Sequence, residues 1–302
     1  MAKARIAVIG AGLMGHGIAQ VFALAGHDVV IYDSIASSLD SAKARILTNL
    51  KELGDDQGAM ERVTPVADLA QAVREADYVV EAVLEDLPLK QKLFTEIEKY
   101  VRPDTILASN TSVIPITRIM EGLKQRDRAL GTHWWNPPYL VPLVEVIETQ
   151  WTSPQAVNFT MKLHADAGKT PAHVKKDVPG FIGNRLQHAL WREAIALVEN
   201  GICDAETVDN VIKSAFGRRL AVLGPLENAD MVGTDLTLAI HKTVLPDIDS
   251  RPCPSPYLEN LVRDKRLGFK SGEGFRKWSP EQQAILRSKV LQHLKKARAQ
   301  DA

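Results

Sequence analysis

Cysteine is nearly absent. The 302 residues hold only Cys203 and Cys253, in neither a disulfide framework nor a metal-ligand spacing. That scarcity excludes a small stapled secreted scaffold and fits a reducing cytoplasm, and no metal site is expected. Net charge is missing too: 37 Lys+Arg balance 37 Asp+Glu. Such a balance calls for neither nucleic acid nor an anionic membrane as partner. Long hydrophobic runs are also lacking. The most apolar stretch, Ile6 to Ala25, is broken by four glycines and His16 and has no convincing basic segment before it. Neither a bilayer span nor a signal peptide is expected there. There is no internal repeat and no low-complexity tract. What is present is a chain with 45% hydrophobic and 25% charged residues, long enough for one large globular domain or two ordinary ones.

The most informative stretch is Arg5 to Asp33, RIAVIGAGLMGHGIAQVFALAGHDVVIYD. It reads as an apolar strand, a glycine turn, a helix and a second apolar strand ending in an acid. Gly10, Gly12 and Gly15 complete a G-x-G-x-x-G. The first glycine permits the tight turn, the second lets the backbone approach a pyrophosphate, and the third lets the helix pack closely on the strand. Around Leu13 and Met14 the helix start offers unpaired N–H groups and a positive dipole end to phosphates. Asp33 follows Gly10 by 23 positions, close to the roughly 20 that a dinucleotide fold uses. A carboxylate there binds ribose hydroxyls and repels a 2′-phosphate, so NAD is the expected cofactor rather than NADP.

The first half alternates strand and helix. Strands are expected at Ile6–Ile9, Val29–Tyr32, Tyr78–Ala82, Ile106–Ser109, Ala129–Thr132 and Leu143–Ile147, apolar on both faces as buried parallel strands are. A further strand at His173–Lys176 closes this half, and helices are expected at Ser34–Leu53 and Leu89–Tyr100. The pattern predicts an α/β, doubly wound Rossmann sheet. After Pro179 strand signals vanish. Helices are expected at Phe181–Glu199, Ala205–Ala215, Leu226–Val244, Tyr257–Lys265 and Pro280–Arg298, with a proline-rich loop at Pro246–Pro256. The domains are thus placed at residues 1–178, binding NAD, and 179–302, an all-helical substrate and dimerisation domain. The dimerisation rests on analogy with other small helical domains.

Ligands of open α/β sheets bind at the carboxyl ends of the strands. There the sequence puts Ser109-Asn110-Thr111-Ser112, then His133-Trp134-Trp135-Asn136-Pro137-Pro138, then Glu145. A histidine suits removal of a hydroxyl proton near neutral pH, and a carboxylate on its other nitrogen fixes the tautomer. Spacing alone leaves other readings open: a polar loop histidine, a solvated Glu145, and Ser112 as a helix cap before Pro115.

The ordered blocks GAGLMGHGIAQ, Val79–Val83 with Glu85, Ser109–Ser112, His133–Pro137, Pro142–Val146 and Pro179–Arg185 carry a resemblance, joined by Lys270–Phe275. Over nearly its whole length the chain resembles the 3-hydroxyacyl-CoA dehydrogenase superfamily. The resemblance implies an NAD-dependent oxidoreductase acting on a small-molecule substrate. It implies His133 as general acid/base, held by Glu145. Ser112 and Asn184 would hydrogen-bond the reacting oxygen or the imidazole, and Asn136 would shape the same pocket. Glu85 and Lys90 would lie by the nicotinamide ribose.

Two features depart from the acyl-CoA members. The hairpin that helps those enzymes hold CoA is here the short Leu50–Thr64, which carries Glu52, Asp55, Asp56 and Glu61. The segment Phe216–Glu227 resembles the branch acting on free hydroxy acids. That branch includes gulonate 3-dehydrogenase and its lens relative lambda-crystallin, carnitine dehydrogenase, and the formyl-pyridine carboxylate dehydrogenase of vitamin B6 breakdown. In it an arginine at the position of Arg219 would bind a substrate carboxylate; an interdomain ion pair is the alternative. Trp134 and Trp135 would wall a pocket for a compact substrate, or simply pack. A free hydroxy acid is the expected substrate, with an acyl-CoA as runner-up and a non-catalytic NAD-binding role third.

Overall fold

The structure, a computed structural model, describes residues 3–301. It divides into two compact units, Met1–Arg185 with Leu291–Ala302, and Leu186–Val290. The first unit is built on strands β1 (Arg5–Ile9), β2 (Asp28–Tyr32), β3 (Val63–Pro65), β4 (Tyr78–Glu81), β5 (Ile106–Ser109), β6 (Ala129–Trp134), β7 (Leu143–Ile147) and β8 (Thr170–Val174). Helices α1 (Gly15–Leu24), α2 (Ala36–Leu53), α3 (Leu69–Val73), α4 (Leu87–Ile97), α5 (Ile116–Met120) and α6 (Pro154–Asp166) connect them.

The sheet order is β3-β2-β1-β4-β5-β6-β7-β8, the Rossmann order with two strands added at one edge. Alternation along β1 shows why both faces are buried. Ile6 and Val8 join a core with α1, α2 and α6, while Ala7 and Ile9 join one with α3, α4 and α5. Side-chain caps start several helices: Asp68, Asp86 and Ser153 each accept an amide of the following turn.

Several expectations need correction. Leu143–Ile147 was expected among parallel strands, but β7 runs antiparallel to β6, and β8 follows β7 in parallel. The last strand covers Thr170–Val174 rather than His173–Lys176, because Thr170 to Val174 pair in register with Leu143 to Ile147. Within Leu50–Thr64 the chain ends α2, makes a 3-10 turn at Gln57–Arg62 and begins β3.

The second unit is helical: the remainder of α7 (Gly183–Glu199), then α8 (Ala205–Ser214), α9 (Pro225–Val232), α10 (Thr234–Val244), α11 (Pro256–Arg263) and the first part of α12 (Pro280–Asp301). The helix expected over Leu226–Val244 is two helices, broken at Gly233, whose φ of 106° helical residues do not adopt. Neither α9 nor α10 contains a buried residue, and Leu226, Met231, Leu236, Leu238 and Ile240 are exposed. Arg251 fastens the proline-rich loop by pairing with Glu199 at 2.5 Å and Asp249 at 2.6 Å. The end of α12 returns to the first unit, where Arg298 meets both Asp55 oxygens at 2.9 Å. No helix among the described residues is long and apolar enough to cross a membrane.

One buried polar group sets a pH limit on this fold. His164 of α6 is fully buried, among the rings of Phe22, Tyr78 and Trp134. Burial pushes its imidazole down to about 4 from an ordinary 6.5. Between those values the unfolded chain binds the extra proton and the folded chain does not, so stability falls as pH drops. The full loss is on the order of 3 kcal/mol. Urea unfolding at intervals from pH 7 to pH 4.5 should show a shallower decline in His164→Phe than in the parent chain. An identical decline in both would remove His164 from the account.

Candidate functional site

Sheet order places the site. Connections leave β1 and β4 in opposite directions, which opens a crevice at their carboxyl ends. The glycine turn fills the β1 side of it. A Cβ on Gly15 would lie 1.7 Å from the Gly10 carbonyl oxygen, so α1 can approach the strand only with glycine there. A Cβ on Gly12 would meet nothing within 4 Å, so the loop is open where a pyrophosphate would lie. Leu13 is exposed, and Met14 stands at the N-cap of α1 without a side-chain cap. Asp33, directly after β2, accepts the Ala11 amide at 2.7 Å and the Ile35 amide at 2.8 Å. The acid, the loop and the helix start therefore fit a dinucleotide together.

At the end of β4 lies a network of buried charge. Lys90 and Glu81 are both fully buried and pair at 2.6 Å. The other Glu81 oxygen accepts the Ser109 hydroxyl at 2.6 Å. Glu85 accepts the Thr111 hydroxyl at 2.6 Å and the amides of Ser112 and Val113 at 2.8 and 3.2 Å, with Lys90 3.5 Å from its second oxygen. Burial raises the Glu85 carboxyl, but the Thr111 hydroxyl, the Ser112 amide and the Lys90 ammonium together hold it below the usual carboxylate value.

His133 and Glu145 face one another because β6 and β7 are antiparallel with these two residues in register. His133 is 4% exposed and Glu145 1%. Nδ1 of His133 lies 2.7 Å from one Glu145 oxygen, and the other accepts the amides of Ile182 and Gly183 at 2.8 and 3.0 Å. Burial pushes the Glu145 carboxyl up, yet the imidazole and the two amides hold it below the ordinary value. An ionised carboxylate can only accept, so Nδ1 carries the hydrogen and Nε2 of the neutral ring is left basic. The rings of Trp135 and Phe181 tilt onto the imidazole at 5.4 and 5.6 Å between centroids. Phe181 holds a left-handed φ of 50°, an uncommon conformation for a bulky residue, and the amides of the next two residues then bind Glu145.

Asn184 donates to the Ser112 carbonyl at 2.8 Å, joining the start of α7 to the loop after β5. Neither residue bonds the imidazole; the Ser112 hydroxyl has no hydrogen-bond partner among the described residues. Asn136 is exposed in the loop after β6. Arg219 belongs to the helical unit, is exposed, and forms no ion pair among the described residues. Trp134 does not join Trp135 as a wall: alternation along β6 turns it into the core against Phe22 and His164. Among the described residues no group of three potential metal ligands converges.

Sequence reasoning passed over Glu81, Asn110 and Phe181. Glu81 had a signal, a single acid in the apolar run YVVEAV. Asn110, whose side-chain oxygen accepts the Trp134 amide at 3.0 Å, lay inside a block already noted. The left-handed turn at Phe181 carried no sequence signal.

Comparison with known proteins gives a consistent picture. The model of the 3-hydroxyacyl-CoA dehydrogenase NAD binding domain matches residues 5–178, and that of the family's C-terminal domain matches residues 180–278. A 5-formyl-3-hydroxy-2-methylpyridine 4-carboxylate 5-dehydrogenase from Mesorhizobium japonicum is 36% identical over 96% of this chain and 95% of its own. A probable 3-hydroxybutyryl-CoA dehydrogenase from Deinococcus radiodurans is 39% identical over 91% of this chain and all of its own. The crystal structure of a 5-formyl-3-hydroxy-2-methylpyridine 4-carboxylic acid 5-dehydrogenase, described as an NAD+-dependent dismutase, superposes with a TM-score of 0.92. It is 35% identical and covers 99% of this chain and 98% of its own.

The charge network yields a direct test. Lys90→Met leaves Glu81 buried and unpaired, and should lower the unfolding free energy by about 3–5 kcal/mol. Adding Glu81→Gln should recover most of that loss in urea melts. A double variant as unstable as the two single variants summed would mean that the charges act independently.

Proposed function

The chain belongs to the 3-hydroxyacyl-CoA dehydrogenase family, and from that premise we propose that it oxidises the hydroxyl of a small free hydroxy acid, reversibly, with His133 as the base. It is an NAD-dependent dehydrogenase acting on a CH–OH group. The observation that carries the catalytic assignment is the His133–Glu145 hydrogen bond at 2.7 Å, with two amides on the far side of the carboxylate. Nε2 takes the hydroxyl proton, and Glu145 steadies the imidazolium that forms. Bound NAD supplies the hydride acceptor. Ser112 and Asn184 orient the reacting oxygen, and Asn136 lines the pocket. Asp33 takes the adenosine ribose hydroxyls, the Gly10–Gly15 loop takes the pyrophosphate, and Glu85, with the buried Lys90 3.5 Å behind it, lies by the nicotinamide ribose.

Two observations favour a free acid over a thioester. The end of α2 and the turn after it carry Glu52, Asp55 and Asp56, and the two cations that α12 brings there are engaged by them, Arg298 with Asp55 at 2.9 Å and Lys295 with Glu52 at 3.9 Å, so neither is free to meet a nucleotide phosphate. The relative from Mesorhizobium japonicum is named for a free pyridine carboxylate. Arg219, a guanidinium without an ion pair among the described residues, is the residue we assign to the substrate carboxylate. The similar identity to a 3-hydroxybutyryl-CoA dehydrogenase supports the second reading, an acyl-CoA substrate. We also propose a homodimer, because the apolar side chains of α9 and α10 lack any cover within their own unit. The proposed division of labour is an NAD-binding domain at residues 1–178 and a substrate and dimerisation domain at residues 179–302, in a cytoplasmic enzyme.

A side-by-side rate assay tests the substrate. One arm reduces acetoacetyl-CoA with NADH. The other oxidises gulonate, carnitine, 3-hydroxybutyrate and, through its hydrate, the formyl-pyridine carboxylate with NAD. Turnover confined to the first arm replaces the free-acid reading with the acyl-CoA one. His133→Ala should lower turnover by about 10²–10⁴-fold. Arg219→Ala should raise KM for the acid about tenfold or more while leaving NADH binding alone; unchanged kinetics would remove Arg219 from the site. Asp33→Ala should weaken NADH in a fluorescence titration, and undiminished binding would refute the ribose assignment.

A further inference from the structure

We propose that Arg45 is a positioning residue for pyrophosphate, acting by holding the glycine loop from its outer side. Its two terminal nitrogens reach three backbone carbonyls: Ala11 at 2.5 Å, Ser38 at 2.9 Å and Gly12 at 3.3 Å. His16 Nδ1 lies 2.7 Å from the same Gly12 oxygen and 3.2 Å from the guanidinium. No carboxylate pairs with Arg45 among the described residues, so its charge is spent on backbone dipoles.

The consequence follows from peptide planarity. In a trans peptide the C=O and the next N–H point in opposite directions. The carbonyl of Ala11 belongs to the unit whose N–H is that of Gly12, and the carbonyl of Gly12 to the unit whose N–H is that of Leu13. Gripping both oxygens from one side aims both N–H groups to the other. Those two amides have no hydrogen-bond partner among the described residues, and a Cβ on Gly12 would find open space. Parallel amides of this kind form an anion cradle, and a cation behind them strengthens each dipole. The planar fork suits the task because it meets adjacent acceptors with fixed spacing. The bond to Ser38 also ties the first turn of α2 to the loop. None of this depends on which hydroxy acid is oxidised.

The test uses the full chain and three probes: NADH and ADP-ribose, which contain the pyrophosphate, and adenosine, which does not. Dissociation constants come from NADH fluorescence and from displacement of NADH. Arg45→Met, which keeps the stem and loses the fork, should weaken NADH and ADP-ribose about tenfold and leave adenosine unchanged. Arg45→Lys keeps the charge with a single donor centre and should fall between Met and the parent. It also carries the test if Arg45→Met fails to fold. Equal weakening of all three probes would make Arg45 a general scaffold residue and overturn the proposal, as would no weakening of NADH and ADP-ribose in Arg45→Lys together with a folded Arg45→Met.

Discussion

The hydrogen bond between His133 and Glu145 exists only because β7 runs backwards against β6. In a parallel continuation of the sheet, the residue beside His133 would arrive from a distant crossover and point along the same direction as the strand ends. The reversal instead sets the two residues in register, side by side on one face. Once there, Glu145 needs further donors to remain ionised in a buried place, and the chain brings them from the turn at Phe181. The left-handed conformation of that residue follows from the same need: it lets two successive amides converge on one oxygen. One strand reversal thus dictates the start of α7.

The two ends of the crevice share a design. At each, a carboxylate, buried at Glu145 and partly exposed at Glu85, is held by donors that also fix a loop. Glu145 organises the segment leading into α7, and Glu85 organises the loop after β5 through the amides of Ser112 and Val113. Asn184 then joins these two segments through the Ser112 carbonyl. Desolvation alone would raise both carboxyls. Because several hydrogen bonds oppose it, their charge and the local backbone geometry depend on one another.

Much of this was legible in the residues. The glycine turn, Asp33 and the switch to helix after Pro179 follow from spacing and periodicity, while spacing only put His133 and Glu145 at strand ends and the family resemblance paired them. What escaped was set by partners far away in sequence. β3 is three residues long with two of them exposed, so it shows no periodicity of its own and exists through pairing with β2. The direction of β7 leaves no trace in its composition, since a strand buried on both faces reads alike either way. Gly233 was visible, but its φ was not, and a helix pattern ran through it. Arg45 looked like any polar position of an amphipathic helix; its role comes from carbonyls 33 and 34 positions away.

The bidentate pair between Arg298 and Asp55 spans 243 positions. The helical unit is therefore an excursion of the chain, entered and left through a nucleotide unit that begins at the first strand and ends in the last helix. On the ribosome, the glycine loop and the strands that carry His133 and Glu145 are made before the helical unit, while the arginine that fastens the end of α2 emerges only after it. Asp55 must consequently wait out the birth of an entire second unit before its partner exists.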